Sequence, residues 1–304
     1  MTTSEPRGAF VRVRDRQTQA VVEEPVYAAF ALSLLYEHRL SAWLVNLACK
    51  RHWVSTLYGL RMHSRASRAL IQPLIEQFDI DPTEAELDVA AYPHFNAFFE
   101  RRLKPDARVY SDDPTQFGSP GDGKLLVYPE LATTTHLPIK GLNVSLAALL
   151  DDESMANRYC GGAAIVLRLA PQDYHRFHFP VAGLATEART IPGIYHSVNP
   201  IAVKKVPGLF GLNKRMSATL HTQAFGQVVL VEVGAIMIGT IMQNYVPGAV
   251  VAGQEKGHFR YGGSTIIVLF EPACITFDDD LLRDSASGLE VRVKAGEVVG
   301  RARA

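Results

Sequence analysis

A serine that follows two glycines is the feature of this chain with the clearest chemical potential. Gly262, Gly263 and Ser264 lie in the segment HFRYGGSTIIVLFE. Gly263 has no side chain, so a nucleophile can approach its carbonyl closely, and glycine tolerates strained backbone. The Ser264 hydroxyl is the nearest nucleophile to that carbonyl. The Gly263-Ser264 bond is therefore a candidate site of self-cleavage, although Gly-Gly-Ser-Thr alone is also typical of an ordinary turn.

Two histidines three residues apart form the second candidate group. His175 and His178 lie in YHRFHFP, and helical spacing would place both on one face as a metal pair. Pro180 and the strand-like flanks indicate an extended segment instead, in which the two side chains point to opposite sides. A shared metal is therefore not predicted. Either both histidines make ordinary hydrogen bonds, or one is a general base and the other lies near a substrate.

An aspartate in a tight turn could supply a third group. Asp122 lies between two glycines in SPGDG, where an aspartate usually caps its own turn. A carboxylate can also orient and charge a histidine, as the third group of a nucleophile relay does. Aspartate, histidine and serine follow in that order along the chain, but a protein of this length contains many such triples.

Composition excludes several classes of protein. The 304 residues contain 31 acidic and 31 basic side chains, and this balance argues against a nucleic-acid binder that works through bulk charge. The three cysteines, Cys49, Cys160 and Cys274, are far apart and form no CxxC pair. They indicate a reducing compartment and predict neither a disulfide framework nor a zinc site.

The first third of the chain predicts a polar arm followed by helices. Residues 1–24 are polar and charged and indicate a loose arm or an edge strand. From 26 to 103 the pattern is helical, and the phenylalanines of FNAFFERRL fall on one helical face. Glu100, Arg101 and Arg102 are expected to point away from much of that face.

After Lys104-Pro105, short apolar runs alternate with glycine and proline and predict closely spaced strands. The fold class expected is α+β, with an N-terminal helical region packed on a larger β-rich catalytic core that resembles a sandwich or barrel. We expect one region at 1–104 and a catalytic domain at 105–304.

One apolar segment, Val26 to Leu47, could contact a membrane. Glu37, His38 and Arg39 interrupt it, and the remaining apolar runs of about ten residues are too short to span a bilayer. One interpretation is a pair of amphipathic helices packed on the core. The other is a hairpin in a membrane interface, with aromatic and basic residues at the headgroups: Trp43, Trp53, Tyr58, Lys50, Arg51 and Arg61.

The order and spacing of six motifs resemble the phosphatidylserine decarboxylase family. They are FFERRLKPDARV, SPGDG, DYHRFHFPVAG, LFGLNKR, VGAIMIGTI and KGHFRYGGSTIIVLFE, and they extend from Phe98 to Glu271. DYHRFHFPV and GGST are the specific parts. The last motif resembles the GGST subgroup of the family rather than its LGST form.

Members of this family are made as proenzymes that cut themselves before the motif serine. The resemblance therefore implies a cut between Gly263 and Ser264. The products are a β chain (1–263) and an α chain (264–304), which remain together as a heterodimer. Ser264 would be converted into a covalent pyruvoyl group, the cofactor and Schiff-base site, and no metal is implied.

The resemblance also assigns roles to the other candidate residues. Asp122, His178 and Ser264 match the self-cleavage relay of the family. His175 resembles the histidine near the substrate, where it would position a carboxylate or reprotonate the product carbon. One departure is Lys214 in Asn213-Lys214-Arg215, where the family commonly has an acid, and this change could alter headgroup recognition.

The substrate implied is phosphatidylserine and the product phosphatidylethanolamine. A pyruvoyl carbonyl forms a Schiff base with an amine and acts as the electron sink when carbon dioxide leaves. Because such an enzyme must reach a lipid headgroup, the N-terminal amphipathic helices become the expected membrane dock, and the expected location is peripheral, on the cytoplasmic face. No nucleic-acid partner is expected, and a homo-oligomer is left open.

Three alternatives compete with this interpretation. A decarboxylase of a free amino acid could use the same scaffold and chemistry. A Ser-His-Asp hydrolase is disfavoured because no G-x-S-x-G motif surrounds Ser264. A non-enzymatic β-rich binding domain would leave the motifs that occur together without a role.

Overall fold

The computed structural model describes residues 10–25, 59–131, 136–139, 142–194, 209–234, 241–260 and 264–303. The expected membrane segment Val26 to Leu47 lies outside these residues, as do five other residues of earlier expectations, Cys49, Lys50, Arg51, Trp53 and Tyr58. Gly262 and Gly263 of the expected cleavage site also lie outside them. These expectations stay predictions.

Strands make up most of the described fold and are numbered in chain order. The first seven are β1 Phe10–Asp15, β2 Val21–Pro25, β3 Gln116–Gly118, β4 Gly123–Tyr128, β5 His136–Ile139, β6 Leu142–Ser145 and β7 Ala163–Leu169. The next six are β8 Arg176–His178, β9 Gly183–Ala185, β10 Arg189–Ile191, β11 Arg215–His221, β12 Gln227–Val233 and β13 Ile241–Gln243. The last six are β14 Gly248–Val250, β15 Glu255–Phe259, β16 Ser264–Phe270, β17 Ile275–Phe277, β18 Glu290–Val293 and β19 Val298–Ala302.

Helices are short within the part of the chain that the structure describes. They are α1 Ile71–Phe78, α2 Phe95–Phe99, α3 Leu146–Leu150, α4 Glu153–Arg158, α5 Leu209–Leu212 and α6 Asp279–Ala286. Three 3-10 turns add Arg65–Leu70, Pro82–Glu84 and Val89–Ala91. The α+β class is therefore confirmed. No helix in these described segments is long and apolar enough to cross a membrane.

One large sheet organises the described residues. Its strand order is β14-β9-β11-β12-β16-β7-β4-β18-β1-β2, and β10 pairs with β11. The polar N-terminal segment thus supplies an edge hairpin, because β1 runs parallel to β18 and β2 is the last strand of the sheet. The boundary expected at residue 104 stays a prediction.

The central strands are buried and apolar. Strand β16, STIIVLF, is buried along its whole length, and β4, β7 and β12 are nearly so. These strands are the runs that the sequence predicts, since β-branched residues suit a pleated surface covered on both faces. One face forms the main core, with Leu125, Leu167 and Ile266 side by side on adjacent strands.

Two small sheets lie beside the large one and position the site. One has the order β13-β15-β8 and the other β17-β19-β3. Strand β8 contains His178 and pairs with β15, whose pairing shifts register between Glu255 and Gly257. The chain then passes from β15 to β16, which belongs to the large sheet.

The helix predicted in FNAFFERRL forms as α2. Phe95, Phe98 and Phe99 are all buried in a second apolar cluster, as predicted. The expectation for Arg101 is wrong, because this side chain is buried and its guanidinium lies 4.7 Å from the Phe98 ring centroid. The helix ends at Phe99, so Arg101 no longer follows the helical periodicity.

Candidate active site

Ser264 is the first residue of β16 and is fully buried. It lies opposite Leu169 of β7, and its exposed fraction is 0%. Its Oγ has no hydrogen-bond partner among the described residues. A buried hydroxyl without a partner costs about 1–3 kcal/mol, and it keeps its proton available for transfer. The neighbouring Thr265 hydroxyl is buried in the same way, so burial alone does not distinguish Ser264.

The SPGDG turn lies over the start of β16. The Pro120 carbonyl accepts a hydrogen bond from the backbone N–H of His178 at 2.8 Å. A Cβ at Gly121 would lie 3.7 Å from Ile266 Cδ1. Ile266 shares a face of β16 with Ser264, because side chains two residues apart point the same way in a strand. The fold therefore brings the turn that holds Asp122, strand β8 and the start of β16 together.

Asp122 is bound by groups outside its own turn. Arg108 donates to both of its oxygens, from Nε at 2.8 Å and from Nη2 at 2.6 Å, and the backbone N–H of Ala295 donates at 2.9 Å. These contacts do not support the interpretation that Asp122 caps its own turn. No hydrogen bond joins Asp122 to His178, both of which the structure describes.

Arg108 is itself fixed from two sides. Its Nη2 also donates to Glu84 at 2.8 Å. Burial alone would lower the pKa of Arg108, but the hydrogen bonds and charges of Asp122 and Glu84 outweigh burial and raise that pKa. Arg108 is therefore a permanent cation that fixes the position of the Asp122 side chain.

His178 is oriented by a backbone carbonyl. Its Nδ1 lies 3.0 Å from the Gly253 oxygen, and a carbonyl only accepts, so Nδ1 carries the proton. In the neutral ring Nε2 then has the lone pair, and the Tyr174 hydroxyl lies 3.3 Å from it. Burial lowers the pKa of His178, while the Gly253 hydrogen bond and the charges of Glu255 and Asp122 oppose that shift. The ring is thus neutral near pH 7 and able to accept a proton at Nε2.

Gly253 can present that carbonyl only because it has no side chain. Its φ of +77° lies in the left-handed region, which glycine adopts without steric cost. A Cβ there would lie 2.9 Å from the Tyr110 ring. The backbone N–H of Gly253 donates to Phe179 at 2.9 Å, which closes the loop against β8.

His175 lies on a different side of this segment from His178. It is fully buried, its Nδ1 lies 2.8 Å from the Asp173 carbonyl oxygen, and its ring centroid is 3.9 Å from that of Phe99. The extended conformation and the separation of the two histidines are as predicted. Within the described part of the chain, no group of three metal-ligating side chains occurs.

A charged cavity borders Asp122. Its volume is about 480 Å³, and Asp122, Tyr174 and Lys124 are among the residues that line it. Lys124 is buried and its Nζ lies 2.8 Å from Asp173 Oδ1 and 3.2 Å from Glu24 Oε2. The carboxylate of the expected relay thus faces this cavity, whereas Ser264 is enclosed by the sheet.

The Asn213-Lys214-Arg215 segment leads into β11. Asn213 is fully buried and donates to the Gly234 carbonyl at 2.8 Å. Arg215 is also buried and donates to the Leu149 carbonyl at 2.6 Å, and burial lowers its pKa to about 10. Both neighbours of Lys214 therefore have structural partners. The effect of Lys214 on headgroup recognition stays a prediction.

Sequence reasoning missed Arg108, Tyr174 and Gly253. Arg108 and Tyr174 lie within motifs that the sequence had already singled out, LKPDARV and DYHRFH. Their position beside the candidate residues in these motifs could therefore have indicated that they contribute to the site. Gly253 gave no such signal, because its role depends on a loop conformation and on a neighbour 75 residues earlier in the chain.

The described residues thus form an α+β fold in which Ser264 begins the central strand β16, and His178 and Asp122 lie on a strand and a turn that are joined by a backbone hydrogen bond. The family model described as phosphatidylserine decarboxylase matches residues 95–301. The chain belongs to the phosphatidylserine decarboxylase family and is a carboxy-lyase.

Curated relatives support this membership over nearly the whole chain. A phosphatidylserine decarboxylase proenzyme of Ruminiclostridium cellulolyticum is 41% identical over 291 residues, which cover 95% of this chain and 97% of the relative. The proenzyme of Chlamydia muridarum is 40% identical, covering 94% of this chain and 96% of its own length. One from Desulfitobacterium hafniense is 39% identical, with coverage of 95% and 98%.

Proposed function

We propose that this chain is a proenzyme that cuts itself between Gly263 and Ser264, and that the mature enzyme decarboxylates phosphatidylserine to phosphatidylethanolamine. One observation carries the self-cleavage. The Ser264 hydroxyl is buried without a hydrogen-bond partner among the described residues, at the strand end that the His178 segment and the Asp122 turn approach. The substrate is proposed from the relatives, which are named phosphatidylserine decarboxylase proenzymes.

Self-cleavage begins with a proton transfer. His178 takes the Ser264 hydroxyl proton at Nε2, and the oxygen attacks the Gly263 carbonyl carbon. The peptide bond is replaced by an ester, and the Ser264 nitrogen becomes a free amine. Burial lowers the pKa of His178 and the charge of Asp122 opposes that shift, so Asp122 favours the protonated ring without a direct hydrogen bond.

The ester is then broken by elimination. Removal of the Ser264 α-proton expels Gly263 as a carboxylate and leaves a dehydroalanine. Water hydrolyses this residue to a pyruvoyl group with loss of ammonia, so Ser264 is consumed. When present, the pyruvoyl group supplies a carbonyl that condenses with an amine and accepts electrons as carbon dioxide leaves.

His175 is proposed to act in the second reaction. It is held by the Asp173 carbonyl and packed against Phe99, which fixes its ring without involving His178. It would position the substrate carboxylate or reprotonate the product carbon.

Membrane docking is proposed from the nature of the substrate. A lipid headgroup is accessible only at a bilayer surface, so the segment Val26 to Leu47 would bind that surface as amphipathic helices. The location proposed is peripheral, on the cytoplasmic face. Liposome flotation of the natural chain and of a variant with three apolar residues of this segment changed to serine would test the docking.

Gel electrophoresis and a decarboxylation assay test the proposed function. Purified protein is expected as two fragments, the smaller being the 41 residues from 264 to 304, about 4.5 kDa at the usual ~110 Da per residue. Carbon dioxide release from phosphatidylserine vesicles should exceed that from free serine. An intact chain after long incubation would contradict self-cleavage, and equal activity on free serine would contradict the lipid substrate.

A further inference from the structure

One fully buried ion pair has no role in the reactions proposed above. Glu232 and Lys256 both have exposed fractions of 0%, and their Oε1 and Nζ atoms are 2.9 Å apart. Gln243 completes a ring of contacts, because Lys256 Nζ donates to its Oε1 at 2.9 Å and its Nε2 donates to Glu232 Oε2 at 2.9 Å. We call these three residues the Glu232 cluster.

The Glu232 cluster connects two sheets. Glu232 belongs to β12 of the large sheet, whereas Gln243 and Lys256 belong to β13 and β15 of the small sheet. Strand β8, which contains His178, is the third strand of that small sheet. Strand β16, which begins at Ser264, is the neighbour of β12. The cluster thus joins the sheet of the proposed base to the sheet of the proposed nucleophile.

The Glu232 cluster also lies close to Ser264. Glu232 is opposite Ile266 in the pairing of β12 with β16, and Ser264 is two residues before Ile266 on the same face. Such diagonal neighbours have Cα atoms about 7–8 Å apart. On its other side, Lys256 Nζ lies 5.7 Å from the ring centroid of Phe177, the residue next to His178.

Stability does not require charges at these positions. Burial raises the pKa of Glu232 and lowers that of Lys256, and the charge of each residue opposes the shift of the other. Replacing a buried ion pair by apolar groups of similar volume is often neutral or stabilising. The charges instead restrict geometry. An ion pair with two further hydrogen bonds allows few relative positions of the strands that contain it.

We propose that the Glu232 cluster is a positioning device for self-cleavage. It holds the sheet containing His178 in register with the sheet containing Ser264, and so sets the distance over which the serine proton is transferred. The inference rests on the proposed function, since it assumes cleavage at Gly263-Ser264.

The test compares self-cleavage with stability in the full chain. Glu232→Gln combined with Lys256→Met removes both charges and keeps the volume. We expect this double variant to cleave at least about tenfold more slowly, because small misplacements of reacting groups can cost about 100-fold in rate. Its melting temperature, measured in uncut chains with Ser264→Ala, should stay within about 5 °C of that parent.

A matched control removes an ion pair that is largely buried and lies within one sheet. Arg168 and Glu290 are 2.7 Å apart on β7 and β18 of the large sheet. Arg168→Met with Glu290→Gln should leave the cleavage rate within about twofold of the natural chain, because this pair lies wholly within the sheet of Ser264 and does not connect it to the sheet of His178. Slowing equal to that of the Glu232 variant, at equal loss of stability, would overturn the positioning role.

Single variants separate positioning from packing. Lys256→Arg keeps the ion pair and should cleave faster than the double variant, whereas a packing role would favour the double variant, which leaves no buried charge unpaired. If the double variant does not fold, Gln243→Met leaves the ion pair intact and should slow cleavage about threefold. Cleavage at the natural rate by the double variant, or by Gln243→Met if the double variant does not fold, would overturn the inference. A natural chain that stays uncut would instead overturn the proposed function.

Discussion

His178 Nδ1 lies 3.0 Å from the carbonyl oxygen of Gly253. The histidine that the relay requires is therefore oriented by backbone, while the expected orienting carboxylate, Asp122, is clamped by Arg108. The proposed relay therefore divides the two roles of its third group, which are orientation and charge. Gly253 fixes the ring and its tautomer, and Asp122 is proposed to act through its charge.

Replacing the base should stop cleavage without unfolding the protein. His178→Gln removes the proton acceptor but keeps an amide that can bond to Gly253. We expect self-cleavage to slow by about 100-fold or more, the usual contribution of general base catalysis. A time course on denaturing gels measures this rate. His221→Gln, at an exposed histidine at the end of β11, is the control and should cleave normally.

Replacing His175 should separate the two reactions. His175→Asn is expected to cleave within about threefold of the natural rate, because the ring is held apart from His178. Carbon dioxide release by the mature variant should fall by about 100-fold. The amount of small fragment measures self-cleavage, and a radiometric assay of carbon dioxide release measures decarboxylation. Equal loss of both would show that His175 serves the fold or the cleavage instead.

Neutralising Asp122 should weaken the base and loosen its surroundings. Asp122→Asn removes the charge that opposes the lowering of the His178 pKa by burial and leaves Arg108 with Glu84 as its remaining carboxylate partner. We expect cleavage about tenfold slower and a free energy of unfolding lower by about 1–3 kcal/mol. Chemical denaturation of uncut chains gives the second value. Glu84→Gln, which keeps Asp122, should lower stability and leave cleavage less affected.

The cleavage rate should depend on pH through His178. Burial lowers the pKa of this ring below its ordinary 6.5, so the neutral base predominates at pH 7 and the rate should be level above pH 6.5. As pH falls through the lowered pKa, the ring is protonated and the rate should fall tenfold per pH unit. The folded state binds that proton less readily than the unfolded state, so stability also decreases as pH falls below 6.5. A rate that rises on acidification would contradict His178 as the base.

The sequence predicted the strands better than the contacts of the candidate site residues. The runs that form β7, β12 and β16 are apolar and contain several β-branched residues, and this local pattern survives in the fold because these strands are buried along nearly their whole length. Asp122, His178 and Ser264 were found through motifs. The clamp by Arg108 and the carbonyl of Gly253 depend on tertiary placement, which no local pattern encodes.

Arg101 is a second residue whose contacts could not be predicted from the local sequence pattern. Helical periodicity placed it away from the apolar face, but α2 ends two residues earlier and the guanidinium turns onto Phe98. A cation that packs on an aromatic face can be buried at lower cost than its charge suggests. Such reversals occur where an element ends, which is the part of a structure that sequence patterns predict least well.

Mass spectrometry of the purified natural chain is the decisive test of self-cleavage at Gly263-Ser264. We expect a fragment that begins at position 264 with a pyruvoyl group in place of serine, resistant to Edman degradation and absent from Ser264→Ala. A stable full-length chain that retains Ser264, or a small fragment with a free serine amine at its start, would contradict it.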